Sequence, residues 1–71
     1  MSEIKLLDVV ALTEDFPAEG LRRGEVGTVV EQWADGVWEV EFSDDTGAAY
    51  AFAAVRTDQM MKLYFRKDEA A

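Results

Sequence analysis

The sequence predicts a small all-β domain, and three observations lead to that prediction. Apolar residues arrive in short runs separated by turn residues at intervals of about ten, the spacing typical of small β domains. β-branched and aromatic side chains dominate two of these runs, residues 24–33 and 37–42. The pair Asp35-Gly36 lies between them, and Asp-Gly is the strongest short signal for a β-hairpin.

The first strand is predicted over residues 6–12. Residues 13–23 follow as a long polar loop, because Pro17 and Gly20 prevent a continuous strand or a long helix there. Two apolar side chains are expected to fix this loop to the core, Phe16 and Leu21.

The central hairpin is the clearest element of the sequence. Gly27 lies within the second strand, residues 24–33, and indicates a bend or a close approach between backbones. The third strand, residues 37–42, alternates strictly, so one face is predicted to be buried and the other wet. The buried face carries Trp38, Val40 and Phe42, and the wet face carries Val37, Glu39 and Glu41.

The fourth strand is predicted over residues 48–55, after a turn at residues 43–47, with Tyr50 and Phe52 on one face. Its alanine content does not by itself exclude a helix. The short length of the segment and its position after a hairpin favour a strand.

The last elements are a single helical turn at residues 57–60, capped by Thr57, and a closing strand at residues 61–65. Five strands, a long first loop and a helical turn before the last strand follow the order of SH3-like barrels, in which closure limits the exposed edges. A single barrel domain is therefore predicted over residues 1–65, with residues 66–71 as a flexible C-terminal tail.

The charge and residue content argue against an enzyme. The chain has 7 Lys+Arg and 15 Asp+Glu, which gives 7 − 15 = −8, and it has no His and no Cys. The usual general base, the thiol nucleophile and the soft zinc ligands are therefore missing. The surplus of acid also argues against phosphate contact with nucleic acid. The composition predicts a binding module without cofactor, metal or catalytic residues.

The beginning of the sequence and its hydropathy predict a soluble, cytoplasmic protein. Residues 1–5 lack the basic and apolar regions of a secretory signal, and no apolar run approaches the roughly eighteen residues that span a bilayer. No membrane partner is expected.

Residues 24–55 carry seven acidic side chains and no Lys or Arg. The predicted strands and turns place these acids in one ridge, which is either a solvated face that discourages aggregation or a docking surface for a basic protein. A metal site or a glycosidase-like pair is not indicated. The segment lacks the spaced ligands of a calcium loop and an apolar pocket that would raise one carboxyl pKa. The seven acids are Glu25, Glu31, Asp35, Glu39, Glu41, Asp44 and Asp45.

Trp33 ends the second strand beside the hairpin turn. An aromatic residue in that place is either an anchor for a partner or a plug over the barrel end. Trp38, in contrast, is expected in the core because of the alternation of its strand. The candidate partner-binding residues are Glu31, Trp33, Asp35, Glu39, Glu41, Asp44 and Asp45.

Basic residues lie outside the acidic segment, and their spacing is compatible with a minor RNA-facing patch, as in KOW modules. The acidic ridge would repel the same ligand on approach, so nucleic-acid binding is not favoured. The clustered basic residues are Arg22, Arg23, Arg56, Lys62, Arg66 and Lys67.

Several motifs resemble those of one small bacterial family. They are Asp8-Val9-Val10-Ala11-Leu12, Gly27-Thr28-Val29-Val30-Glu31, Glu39-Val40-Glu41-Phe42 and Asp58-Gln59, with Asp15, Pro17, Gly20-Leu21, Gly24, Gly36 and Gly47 between them. Through them nearly the whole chain resembles the family catalogued as domain of unknown function 4926. The resemblance implies an SH3-like barrel and brings no catalytic residues. Members resemble companions of nuclease toxins in some bacterial gene neighbourhoods, which implies an antitoxin or immunity role.

The leading hypothesis is a non-enzymatic acidic module that neutralises a basic protein, a nuclease among the candidates. The alternative is a self-associating structural or accessory-subunit barrel. In that alternative a homodimer would form, with Val37 or Trp33 seeding a two-fold contact.

Overall fold

The structure, a computed structural model, describes residues 3–64. The predicted end of the last strand at residue 65 and the predicted tail at residues 66–71 lie outside this range. No helix among the described residues is long and apolar enough to cross a membrane. The elements in chain order are β1 (Val9–Leu12), the 3-10 turn η1 (Pro17–Glu19), β2 (Val26–Ala34), β3 (Val37–Ser43), β4 (Ala49–Arg56), the 3-10 turn η2 (Thr57–Gln59) and β5 (Met60–Lys62).

The predicted all-β, SH3-like architecture is confirmed. The five strands form one antiparallel sheet in the order β4-β3-β2-β1-β5, so β4 and β5 are its edges. The long strand β2 belongs to both halves of the sheet, since its beginning pairs with β1 and its remainder pairs with β3. Thr28 marks the overlap, because it lies opposite Val9 on one side and opposite Glu41 on the other.

The core lies on the inner face of this curled sheet. Trp38, as predicted, is buried there, and Leu21 is buried with Phe16 packed against the core. Phe16 and Leu21 also form an isolated antiparallel bridge, which holds the long loop closed. The buried hydrophobic cluster consists of Val10, Leu12, Leu21, Val29, Trp38, Val40, Phe42, Ala53, Val55 and Met60.

The first strand is shorter than predicted, because β1 begins at Val9 and not at residue 6. The backbone N–H of Lys5 donates to Oδ2 of Asp8 (2.8 Å), and the N–H of Asp8 donates to the carbonyl of Lys5 (3.1 Å). These local bonds turn the chain before the strand, as short polar side chains do when they compete with a ladder. Leu7 consequently has a φ of 74° and is exposed.

The prediction of Thr57 as a helix cap is wrong. Thr57 is the first residue of η2, and the residue before it is Arg56. Its hydroxyl oxygen instead accepts from Nε1 of Trp38 (3.1 Å) and its hydroxyl donates to the carbonyl of Gly36 (3.4 Å). The turn ends one residue earlier than predicted, and Met60 begins β5 as a buried residue.

Replacing Trp38 with Ala is expected to lower the free energy of unfolding by about 3–5 kcal/mol, because it removes a large buried ring and leaves a cavity. Urea denaturation followed by circular dichroism measures this loss. Trp33→Ala is the matched control, since the Trp33 side chain is 58% exposed. The control should lose less than about 1 kcal/mol. Equal losses in the two variants would contradict the assignment of Trp38 to the core.

Gly27→Ala is expected to destabilise the barrel by about 1–3 kcal/mol, the usual cost of overpacking. A Cβ at Gly27 would lie 2.6 Å from Cγ1 of Val40 and 2.8 Å from the carbonyl oxygen of Glu41. The same denaturation experiment measures the effect. Gly20→Asn is the control, because nothing lies within 4 Å of that position and Asn tolerates its left-handed backbone. A neutral Gly27→Ala variant would show that β2 and β3 can separate without cost.

Candidate functional site

The candidate site is the outer surface of the β2–β3 hairpin and its turns. Glu39 and Glu41 extend from β3 on the face opposite the buried side chains, as predicted, and both are half-buried rather than fully exposed. We call this surface the acidic face and define it by Glu31, Trp33, Asp35, Glu39, Glu41, Asp44 and Asp45.

Three of these residues come together at the turn end of the hairpin. Glu31 lies directly opposite Glu39 across β2 and β3. The indole Nε1 of Trp33 donates to Oε1 of Glu39 at 3.0 Å. Like charges opposite each other on a sheet repel, and a hydrogen bond from the indole stabilises the carboxylate of Glu39. The bond also restricts the orientation of a ring that is 58% exposed.

The two hairpin turns place exposed acids at both ends of β3. Asp35 lies in the β2–β3 turn, and Asp44 and Asp45 lie in the β3–β4 turn. The seven residues of β3 separate these turns by about 20 Å. The acidic face therefore runs along the whole length of the strand.

Asp44 also stabilises the β3–β4 turn through hydrogen bonds. Its Oδ1 accepts from the hydroxyl of Thr46 (2.7 Å), from the N–H of Thr46 (2.9 Å) and from the N–H of Ala48 (3.1 Å). The bond from the Thr46 hydroxyl, together with these backbone donors, lowers the pKa of Asp44. Asp44 thus shapes the turn and stays ionised, while Asp45 next to it is exposed.

Glu25 departs from the predicted ridge. Its Oε1 accepts from the hydroxyl of Tyr50 (2.7 Å) and its Oε2 accepts from the N–H of Arg22 (2.8 Å). The Tyr50 hydroxyl is the main reason that the pKa of Glu25 is lowered, and the same bond raises the pKa of Tyr50. This carboxylate links the long loop to β4 and is not a free charge of the acidic face.

Two apolar side chains of β4 lie next to the acids on the outer surface, and the sequence did not predict this proximity. Phe52 of β4 lies opposite Glu41 and is 53% exposed, and Ala54 lies opposite Glu39. Alternation along the fourth strand predicts that Tyr50 and Phe52 share a face of the sheet. Only the register with β3 shows that Phe52 lies on the outer face. The acidic face is consequently bordered by an apolar strip on β4.

Two of the basic residues, Arg56 and Lys62, are paired with carboxylates that do not belong to the acidic face. Arg56 pairs with Asp58 (3.0 Å), and Lys62 pairs with Asp8 (3.3 Å) and lies 5.2 Å from the ring centre of Tyr64. Each of these two cations is thus accompanied by a carboxylate. Arg22 and Arg23 lie in the exposed loop before β2, and Arg66 and Lys67 lie outside the described residues. Within residues 3–64, no group of three or more acidic side chains is placed to hold a metal ion.

Residues 6–62 match the model of the family described as Domain of unknown function (DUF4926). The matched range runs from the turn before β1 to the last residue of β5, so it includes every strand. No curated protein and no solved structure matches the chain.

Tyr50→Phe is expected to raise the pKa of Glu25 towards its ordinary value, because the hydroxyl donor is lost while the ring is kept. The folded-state pKa of Glu25 is lowered, so its stabilising contribution is present above the ordinary pKa and is lost as the pH falls through the folded pKa. The wild type should therefore be more stable than Tyr50→Phe at neutral pH, and the difference should vanish in acid.

An NMR pH titration of the Glu25 carboxyl, with thermal unfolding at neutral and acidic pH, measures both effects. Asp44 is the internal control, since its donors are Thr46 and Ala48 and its titration should not change. An unchanged Glu25 titration in the variant would contradict the assigned cause.

Proposed function

The chain belongs to the DUF4926 family, and we propose that it is a non-enzymatic binding module whose acidic face docks on a basic protein. In its most concrete form, the module is an antitoxin or immunity protein in the cytoplasm that neutralises a basic toxin, such as a nuclease. The supporting observation is the acidic face itself. It follows the seven residues of β3, and no basic side chain lies in β3 or in the turns at its two ends.

Electrostatics supports a basic partner. Residues 24–55 contain no Lys or Arg, and the net charge of the chain is −8. A surface of one sign steers an oppositely charged partner and raises the association rate, and the effect declines as salt screens it. The acids of β3 lie on alternate residues, about 7 Å apart along the strand. Nucleic acid likewise presents a row of regularly spaced negative charges, so the acidic face would compete for a nuclease's substrate surface.

Trp33 supports the turn end of the acidic face as the point of anchorage. Its ring is largely exposed and its orientation is restricted by the bond to Glu39. Tryptophan is enriched among the residues that carry binding energy at interfaces, and a ring held in place loses less entropy on binding. Carboxylates beside an aromatic ring suit a Lys or Arg side chain, which is attracted by both.

The competing explanation is that the acids only keep the protein soluble. Under that explanation, an equal loss of negative charge anywhere on the surface would have the same effect. Under the docking proposal, the position of the lost charge decides the outcome. Two double variants with the same net charge therefore separate the explanations.

Glu39→Lys/Glu41→Lys is expected to fold and to lose binding of basic proteins. Both changes lie on the outer surface, where substitutions usually cost less than about 0.5 kcal/mol. The association rate should fall at least about tenfold at low salt, where screening is weakest. The assay is a pull-down from the source organism at about 50 and about 300 mM salt, followed by rate measurements on the recovered proteins.

The control is Glu3→Lys/Glu19→Lys, two exposed positions outside the acidic face with the same change in charge. It should bind like the wild type. Recovery of no basic protein at either salt concentration would refute the proposal. Normal binding by Glu39→Lys/Glu41→Lys, with greater aggregation, would assign the acids to solubility.

A further inference from the structure

Two cavities lie side by side at the end of the barrel where the β2–β3 turn meets η2. The first has a volume of about 590 Å³ and is bordered by Met60. The second has a volume of about 560 Å³ and is bordered by Gln32 and Trp38. Both cavities are also lined by Ile4 and Thr57, so these two residues are shared between them.

The segment Glu3-Ile4, which we call the strap, is held by one side chain. Ile4 is half-buried and packs against the hydrophobic core. Glu3 is exposed, and its carboxylate has no partner among residues 3–64. Within the same range, neither residue takes part in a backbone hydrogen bond. Segments with few buried contacts and no backbone hydrogen bonds open most readily in native proteins.

The chain is anchored from Lys5 onwards. The N–H of Lys5 donates to Oδ2 of Asp8 (2.8 Å), and the N–H of Leu7 donates to the carbonyl of Val29 (2.7 Å). The N–H of Val29 in turn donates to the carbonyl of Asp8 (2.9 Å). These bonds join the turn at residues 5–8 to β2 and do not involve the strap. Movement of the strap can therefore end at Lys5 and leave β1 in place.

The residues beneath the strap do not depend on it for their hydrogen bonds. Nε1 of Trp38 donates to the hydroxyl oxygen of Thr57 (3.1 Å), and the N–H of Thr57 donates to the carbonyl of Gly36 (3.0 Å). Lifting the strap breaks neither bond and leaves no buried polar group without a partner. Its cost is therefore the apolar contact of Ile4 with the core.

We propose that the strap opens while the barrel stays folded, and that its opening joins the two cavities into one groove above Trp38, Thr57 and Met60. Only the partial burial of one isoleucine holds the strap closed, which corresponds to an open population of roughly 1–10%. A ligand that fills the joined groove binds the open form, so its apparent affinity is reduced by that fraction. The closed strap is thus a cover that inhibits binding in the groove.

This inference does not rest on the proposed function. Glu39 and Glu41 lie on the outer face of β3 and not among the described residues that line the two cavities, although Asp35 borders the second cavity. Opening of the strap is a property of the single chain and needs no basic partner. Failure of either proposal would therefore leave the other standing.

Thiol labelling with dithiobis(nitrobenzoate) tests the proposal, because the chain has no Cys and an introduced thiol is the sole one. Met60→Cys places the thiol beside the strap, and Val40→Cys places it in the core, at a residue that is 0% exposed.

After correction for the free energy of unfolding of each variant, Met60→Cys should react at least about tenfold faster than Val40→Cys. Its rate should change little in dilute urea, because opening of the strap exposes little surface. The Val40→Cys rate should rise with urea, since global unfolding exposes that thiol. Equal rates with equal urea dependence would overturn the proposal.

Ile4→Ala assigns the opening to the strap. Combined with Met60→Cys, it should raise the labelling rate at least about threefold, because less apolar contact holds the strap closed. Leu6→Ala is the matched control, since Leu6 is 56% exposed and lies in the turn after the strap. The control should label at the same rate as Met60→Cys alone. An unchanged rate with Ile4→Ala, or an equal rise with both changes, would refute the assignment.

Methyl NMR on the wild type gives a second measurement that needs no variant. Ile4 is the single isoleucine of the chain, so its δ1 methyl gives one signal that can be labelled selectively. Relaxation of this methyl should report exchange between the closed and open strap, which the methyls of buried Val40 should lack. An Ile4 methyl as rigid as those of Val40 on both the ps–ns and the μs–ms timescale would contradict the proposed opening.

Discussion

The close approach of β2 to β3 at Gly27 is the constraint on which the barrel depends. Only a hydrogen atom fits at that position, because a Cβ would contact Val40, Phe42 and the backbone of Glu41. This contact allows one long strand to pair with β1 at its beginning and with β3 thereafter. The sheet can then curl around Phe42, which is completely buried. In a chain of 71 residues the core is small, and each inner position counts.

The packing of the inner face determines where charge is placed. The inner face of β3 is filled by Trp38, Val40 and Phe42, and no polar or charged residue of the described chain is buried. Acids of the hairpin therefore lie on the outer face or in the turns. The β2 register brings Glu31 opposite Glu39, and the exposed Trp33 ring reaches back to Glu39. The mutual repulsion of these acids is a cost that burial of the opposite face offsets.

The outer surface thus contains two neighbouring features of different chemistry. The acidic face on β3 suits long-range attraction to a basic molecule, which is strongest at low salt. The edge of β4 offers directional backbone groups and apolar side chains, which act at short range and tolerate salt.

The sequence by itself determined those features of the structure that depend on residues close together in the chain. Alternation assigned Trp38 to the core and Glu39 and Glu41 to the outer face, Asp35-Gly36 marked the hairpin, and Gly27 indicated the close approach, because strand periodicity and turn geometry are local properties. Only the tertiary structure decided the partners that are distant in the chain. Thr57 bonds to Trp38 instead of capping its own turn, and Glu25 leaves the acidic ridge for Tyr50. The outward side of Phe52 and the open edge of β4 likewise follow from strand pairing, which a single strand's pattern does not contain.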